Sequence, residues 1–278
     1  LVIENGSSEE ESSAAILMMD GELIVENSIV RNHYSNGSGG AIGLNNSSAL
    51  IKNSLFKENS ARYAGGAIEI NNDYSGGEEV PVKIEIINTV FQGNRVNGSD
   101  QTGNAQGGAI RVWPNKGLDL SIVQSTFFQN EVHVNSDGAG AVGGAIDVGY
   151  RDQFDFSNII PIKIDASIFK NNRSEVQNDN MWMGPAVQVG WPTHITNSLF
   201  DGNFLQNNGS NGGGPTAVSY TFNDDAQGQL DNVFANNTVV NNYFSNSNSG
   251  TNNHSPISFW HSNATVINNV VWDNPNGF

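Results

Sequence analysis

Two carboxylates and a guanidinium occupy matching places in a recurring segment. Gly65-Gly66-Ala67-Ile68 is followed by Glu69, Gly107-Gly108-Ala109-Ile110 by Arg111, and Gly143-Gly144-Ala145-Ile146 by Asp147. If each segment is a strand with its Ile turned inward, the next residue turns outward, because side chains alternate along a strand. Glu69 with Asn71, Arg111 with Trp113, Asp147 with Gly149 and Gln188 with Gly190 then share the outer face. Stacked as rungs, Glu69, Arg111 and Asp147 form a continuous polar stripe with Trp113, Tyr150, Trp191 and Trp260 near it. Aromatics beside carboxylates suit sugar binding, since a flat ring covers a pyranose face. The candidate ligand contacts are therefore Glu69, Asn71, Arg111, Trp113, Asp147, Tyr150, Gln188 and Trp191. In an enzyme, Glu69, Arg111 and Asp147 would carry the chemistry. Two rungs put the carboxylates roughly 9–10 Å apart, at or just past the long limit for an inverting glycosidase pair. The alternative for the same residues is a solvated Glu–Arg–Asp ladder, in which Arg111 offsets like-charge stacking.

Other chemistry finds less support. A polysaccharide lyase needs a basic residue and a charge neutraliser such as calcium, and Arg111 is the only basic residue in the stripe. Acidic loops at Glu9 to Glu11, Asp73 with Glu78 and Glu79, and Asp224 with Asp225 could hold structural Ca2+ through oxygen ligands. They match neither EF-hand spacing nor the glycine-rich nonapeptide of calcium β-rolls, so no cofactor is expected. The histidines at 33, 133, 194, 254 and 261 are scattered and form no His-Glu-x-x-His pair, so the spacing points to no transition-metal site. No Gly-x-Ser-x-Gly elbow stands between a strand and a helix.

The elements that position the stripe form a repeat. Anchored on the aromatic before a closing Asn, the copies fall at Phe56, Phe91, Phe127, Phe169, Phe200 and Phe234, with Val30 and Val271 as weaker end copies and Val2 as the tail of an earlier coil. Three residues later stand Asn59, Asn94, Asn130, Asn172, Asn203 and Asn237; after Val30, His33 holds that slot and Asn32 sits one place early. Three residues before the anchors stand Asn27, Asn53, Asn88, Gln124, Ala166, Asn197, Asp231 and Asn268. The Gly-Gly-Ala-Ile element recurs from Gly39 and decays at Gly184, Pro215 and Ser255. About eight units of two or three short strands follow, none able to bury a face alone. Stacking at roughly 4.8 Å per rung piles the Phe and Ile/Val positions into interior columns and gives a rod of roughly 40 Å. The Asn columns fall at the bends, where Asn tolerates left-handed backbone and can form amide ladders. The fold expected is an all-β, single-stranded parallel β-helix over residues 1–278, with insertions such as Arg95 to Gln106, Glu131 to Val142 and Gly149 to Pro161 read as exposed loops at two corners.

Gly-Gly-Ala-Ile followed by Phe-x-x-Asn resembles the repeat pair of the polymorphic outer-membrane proteins of chlamydiae and, more widely, bacterial secreted right-handed parallel β-helix proteins. The resemblance runs from Ser13 to Asn274. It implies a right-handed solenoid in an extracellular or cell-surface setting, and because that repeat serves adhesins, surface proteins and sugar-active enzymes alike, it transfers no catalytic residue.

Composition agrees with a narrow rod: hydrophobic content is 37% and Gly numbers 31. A net charge of −16 with 12 Lys and Arg disfavours nucleic acid and anionic membranes. The absence of Cys removes disulfides, thiolate metal sites and a Cys nucleophile. No apolar run reaches the length of a membrane helix. The partners expected are a glycan or a host or neighbouring cell surface. Ends without a helix or polar cap suggest either a segment of a longer protein or subunits that stack end to end into a filament.

Overall fold

The computed structural model describes residues 1–9, 13–72, 81–98, 104–135, 139–149, 159–177, 184–208, 214–222, 231–246, 255–260 and 262–275. Among them there are 35 strands and no helix, hence none long and apolar enough to cross a membrane. One coil shows the plan. Ile68–Asn71, led by Gly-Gly-Ala, lies in sheet I; Val82–Ile87 lies in sheet II; Val90–Gln92 lies in sheet III; Arg95–Asn97 lies in sheet IV; and Ile110–Trp113 re-enters sheet I one rung on. Each strand pairs in parallel with its counterparts in the neighbouring coils, so sheets I, II and IV have eight strands and sheet III nine. This is a parallel β-helix.

Alternation fills the interior. Ile68 and Ile70 from sheet I, Val82, Ile84 and Ile86 from sheet II and Phe91 from sheet III are all buried in one continuous core. Phe56, Phe91, Phe127, Phe169 and Phe200 stack in file with centroids 5.1, 4.8, 4.9 and 4.8 Å apart, a spacing set by the rungs themselves. The Gly-Gly pair has two separate causes. Gly65 turns the chain into sheet I at φ +60, and a Cβ on Gly66 would lie 2.1 Å from the Gly108 carbonyl oxygen.

Three expectations need correction. The file of anchors ends at Phe200: its partner on the next rung is Val239, while Phe234 pairs with Ile195 in sheet II. Phe234 still reaches the core, tilted 40° to Phe200. This register lets Asn242, not Asn237, continue the amide column, and it puts Asn236, not Asp231, at the left-handed bend with φ 56. At the other end Ile3, not Val2, stacks on Val30. Finally, each unit has four strands rather than two or three. Stretches read as loops begin with sheet IV strands such as Arg95–Asn97, Glu131–Val134 and Arg173–Val176. Their inward residues Val96, Val132, Val134, Leu205 and Phe244 build a second apolar cluster with Ala105 and Ala141. The expected insertions do fall at two places, between sheets IV and I and between sheets I and II.

Polar ladders fix the bends. Asn94 Oδ1 accepts the Asn59 backbone N–H at 3.1 Å and its side-chain Nδ2 at 3.0 Å; Asn94 Nδ2 donates to the Phe56 carbonyl at 3.0 Å and to Asn130 Oδ1 at 2.9 Å. The same set repeats at Asn130, Asn172 and Asn203. A second ladder at the bend between sheets II and III runs through hydroxyls, with the Ser125 and Ser167 backbone N–H groups donating to Ser167 Oγ at 3.2 Å and Ser198 Oγ at 3.1 Å. The residues just before these positions, such as Asn88 at φ 47 and Asn171 at φ 53, take the left-handed backbone.

His33 does in the first full coil what Asn does later. Its backbone N–H donates to Asn59 Oδ1 at 3.2 Å, its Nδ1 accepts the Gly6 N–H at 2.9 Å, and its Nε2 donates to the Ile3 carbonyl at 3.1 Å. That pattern assigns the hydrogen to Nε2 and leaves the ring neutral. Burial lowers its pKa from the usual 6.5, against the raising effect of the Ile3 carbonyl, and a proton on Nδ1 would face the Gly6 donor. A depressed histidine pKa means the unfolded chain binds more protons, so the contribution is full above about pH 6.5 and is lost as pH falls. The protection factor of the Gly6 amide is therefore expected to drop as pH falls below about 6.5 in the wild type and to hold in His33→Asn. An equal drop in both would show that His33 is not the titrating group.

Candidate functional site

Sheet I delivers the expected column. Glu69 pairs with Arg111, Arg111 with Asp147, Asp147 with Gln188, and Asn71 stands opposite Trp113. On the rung before Glu69 the position is Gly43. The register expected from the sequence is correct; the exposure is not. Arg111 and Asp147 are only 4% and 2% exposed, so they are no solvated ladder and no open contact surface. Glu69, Asn71, Trp113 and Gln188 are half-buried. Trp191 is fully buried and belongs to the core, because the short connection from Val189 to Thr193 turns it inward. Tyr150 lies outside the described residues, as do Glu10, Glu11, Asp73, Glu78, Glu79, Asp224 and Asp225 of the expected acidic loops.

Arg111 organises what is buried. Its guanidinium lies 4.5 Å over the Trp113 ring, and a Cβ on Gly149 would meet Arg111 Nη1 at 2.5 Å, so only glycine leaves room for the stack. Arg111 Nε donates its single hydrogen to Gln106 Oε1 at 2.9 Å, and Asp147 Oδ2 lies 3.1 Å from that nitrogen. Asp147 therefore receives charge attraction without the hydrogen bond, and its Oδ2 has no hydrogen-bond partner among the described residues. Burial accordingly pushes the Asp147 carboxyl up to about 6 despite the attraction of Arg111. Burial also raises Glu69, opposed by Arg111 and by a hydrogen bond from Ser38. A hydrolytic pair needs its two carboxylates to face one open gap; here Arg111 stands on the rung between them.

A feature missed in the sequence lies at the end of the same strands. Asn46 Oδ1, Asn71 Oδ1 and both side-chain polar atoms of Asn72 are buried without a hydrogen-bond partner among the described residues. Backbone bonds hold these rungs together, Asn46 N–H to the Asn71 carbonyl at 2.9 Å and Asn72 N–H to the Trp113 carbonyl at 3.0 Å. The paired asparagines Asn45-Asn46 and Asn71-Asn72 were the visible signal. Unpaired buried amides are costly and rare, and these atoms are closed to solvent.

No protein-family model matches the chain, and comparison with curated proteins and with solved structures finds no significant match.

Removing the positive charge tests the electrostatic arrangement. In Arg111→Gln, Asp147 loses the one attraction that opposes burial, so its carboxyl carbon should titrate above about 6 in a carbon-13 NMR pH series. A titration at the same or lower pH would show that Arg111 does not act on Asp147.

Proposed function

We propose that the chain is an extracellular or cell-surface β-helix rod that contacts glycans along the half-buried column of Glu69, Asn71, Trp113 and Gln188. The observation that carries this reading is the pairing of half-buried Asn71 with the half-buried Trp113 indole on the adjoining rung, with Glu69 on the same outward face. A sugar needs both elements, amide groups for its hydroxyls and a flat ring for its apolar face. Glu69, one alternation back on the same strand, adds an acceptor, and Gln188 extends the contact along the column. The acidic surface favours neutral or cationic sugars over acidic polymers. The resemblance to bacterial surface repeats supports the setting.

A carbohydrate hydrolase on the same strands is the second reading, favoured by one observation, a buried carboxyl at Asp147 raised to about 6, in the range of a general acid. The burial of Asp147 and the intervening Arg111 weigh against it.

Glycan arrays with wild type and Asn71→Ala separate the readings. Asn71 Oδ1 has no hydrogen-bond partner among the described residues, so Asn71→Ala leaves stability nearly unchanged and lowers glycan affinity about tenfold or more, roughly 1.4 kcal/mol. Failure of any glycan to bind, or binding indifferent to Asn71→Ala, contradicts the contact. Polysaccharide depolymerisation abolished by Asp147→Asn or Glu69→Gln would establish the enzyme instead.

A further inference from the structure

We propose that Glu131, His133 and Glu175, on the outer face of sheet IV, form a binding site for one divalent transition-metal ion of the Zn2+ class. Their ligand atoms all lie within 4.8 Å of one another, the one such group of His and acidic side chains among the described residues. The fold supplies the arrangement. Glu131 and His133 are two apart on one strand and so share its outer face, and Glu175 is the direct partner of His133 on the next rung. His133 Nδ1 stands 3.3 Å from Glu175 Oε2. Ligands held about 2.0–2.1 Å from a tetrahedral ion are separated by about 3.3 Å, so this edge already has the metal-bound length. Although its solvent exposure is negligible, His133 Nδ1 makes no hydrogen bond; a buried ring nitrogen aimed at a carboxylate oxygen is what an ion would satisfy. The carboxylates are also held in place, as metal ligands generally are. Gln177 Nε2 donates to Glu175 Oε1, and the side chain of Glu175 is 8% exposed.

Two arginines offer the competing arrangement. Arg173 Nη2 lies 2.8 Å from Glu175 Oε2, and Arg95 Nη2 lies 3.0 Å from Glu131 Oε2. Without an ion these pairs balance the two carboxylates. When an ion enters, Arg173 keeps other partners, the Gln206 side chain and the Phe204 ring at 5.3 Å from its guanidinium carbon. The ion then replaces a guanidinium at one oxygen and bridges two coils, joining the strand Glu131–Val134 to Arg173–Val176.

Titration calorimetry with ZnCl2 on the intact chain tests the site, alongside melting temperature. The expected result is one saturable Zn2+ per chain and a raised melting temperature. His133→Ala should weaken binding at least about tenfold, and Arg173→Gln should tighten it by removing the rival cation. Arg173→Gln keeps the proposal testable if the arginine suppresses binding in the wild type. No saturable binding in either wild type or Arg173→Gln, or equal binding in His133→Ala, would leave only an ion-pair network and overturn the proposal.

Discussion

A β-helix coil cannot stand alone, and what joins this one to its neighbours at each bend is an amide held in register. Asn94 and its counterparts use every hydrogen-bonding atom of the side chain, three times within the ladder and once back to the carbonyl behind the Phe column. Each bond contributes only about 1 kcal/mol net, but a buried amide left unpaired costs about 1–3 kcal/mol, so a slip of one residue is penalised at every rung. The Phe file depends on the same constraint, because ring-on-ring contact at 4.8 Å requires each anchor to sit at the same distance from its bend. At the next rung Val239 takes the place of a ring in the file, and Asn242 continues the ladder.

Register then decides the chemistry on the outside. In a parallel stack, every outward residue faces its counterpart one rung away, so columns of unlike groups form without further design. On sheet I this produces Glu69, Arg111 and Asp147; on sheet IV it produces Arg95 with Glu131 and His133 with Glu175. The columns differ in solvation. Arg111 and Asp147 are sealed, which raises the carboxyl and fixes the guanidinium on Trp113, whereas Glu131 and His133 keep partial exposure.

Most of the scaffold was legible in the sequence because repetition multiplies weak signals: the Gly-Gly-Ala-Ile strands, the Phe file to Phe200, the asparagine bends and the pairing of Glu69, Arg111 and Asp147 all follow from spacing. Where two templates fit, spacing could not choose. Asn232 to Asn242 contains both Phe-x-x-Asn and Val-x-x-Asn, each with an asparagine for the ladder, and the fold takes the second. Sheet IV escaped notice because its strands are short and run into insertions, so Glu131 and His133 read as loop residues and their partner Glu175 was invisible. Burial of Arg111, Asp147 and Trp191 escaped for a different reason: alternation gives direction relative to the coil, not what covers a side chain or turns at a corner.

The interior amide ladder is the claim on which everything else stands, and hydrogen exchange of the asparagine side chains measures it directly. If it is correct, the Nδ2 protons of Asn94, Asn130 and Asn172 exchange only through global unfolding, as slowly as the backbone amides of the neighbouring Phe strands. Exchange of those protons at the rate of a free asparagine amide in an otherwise folded protein would contradict it.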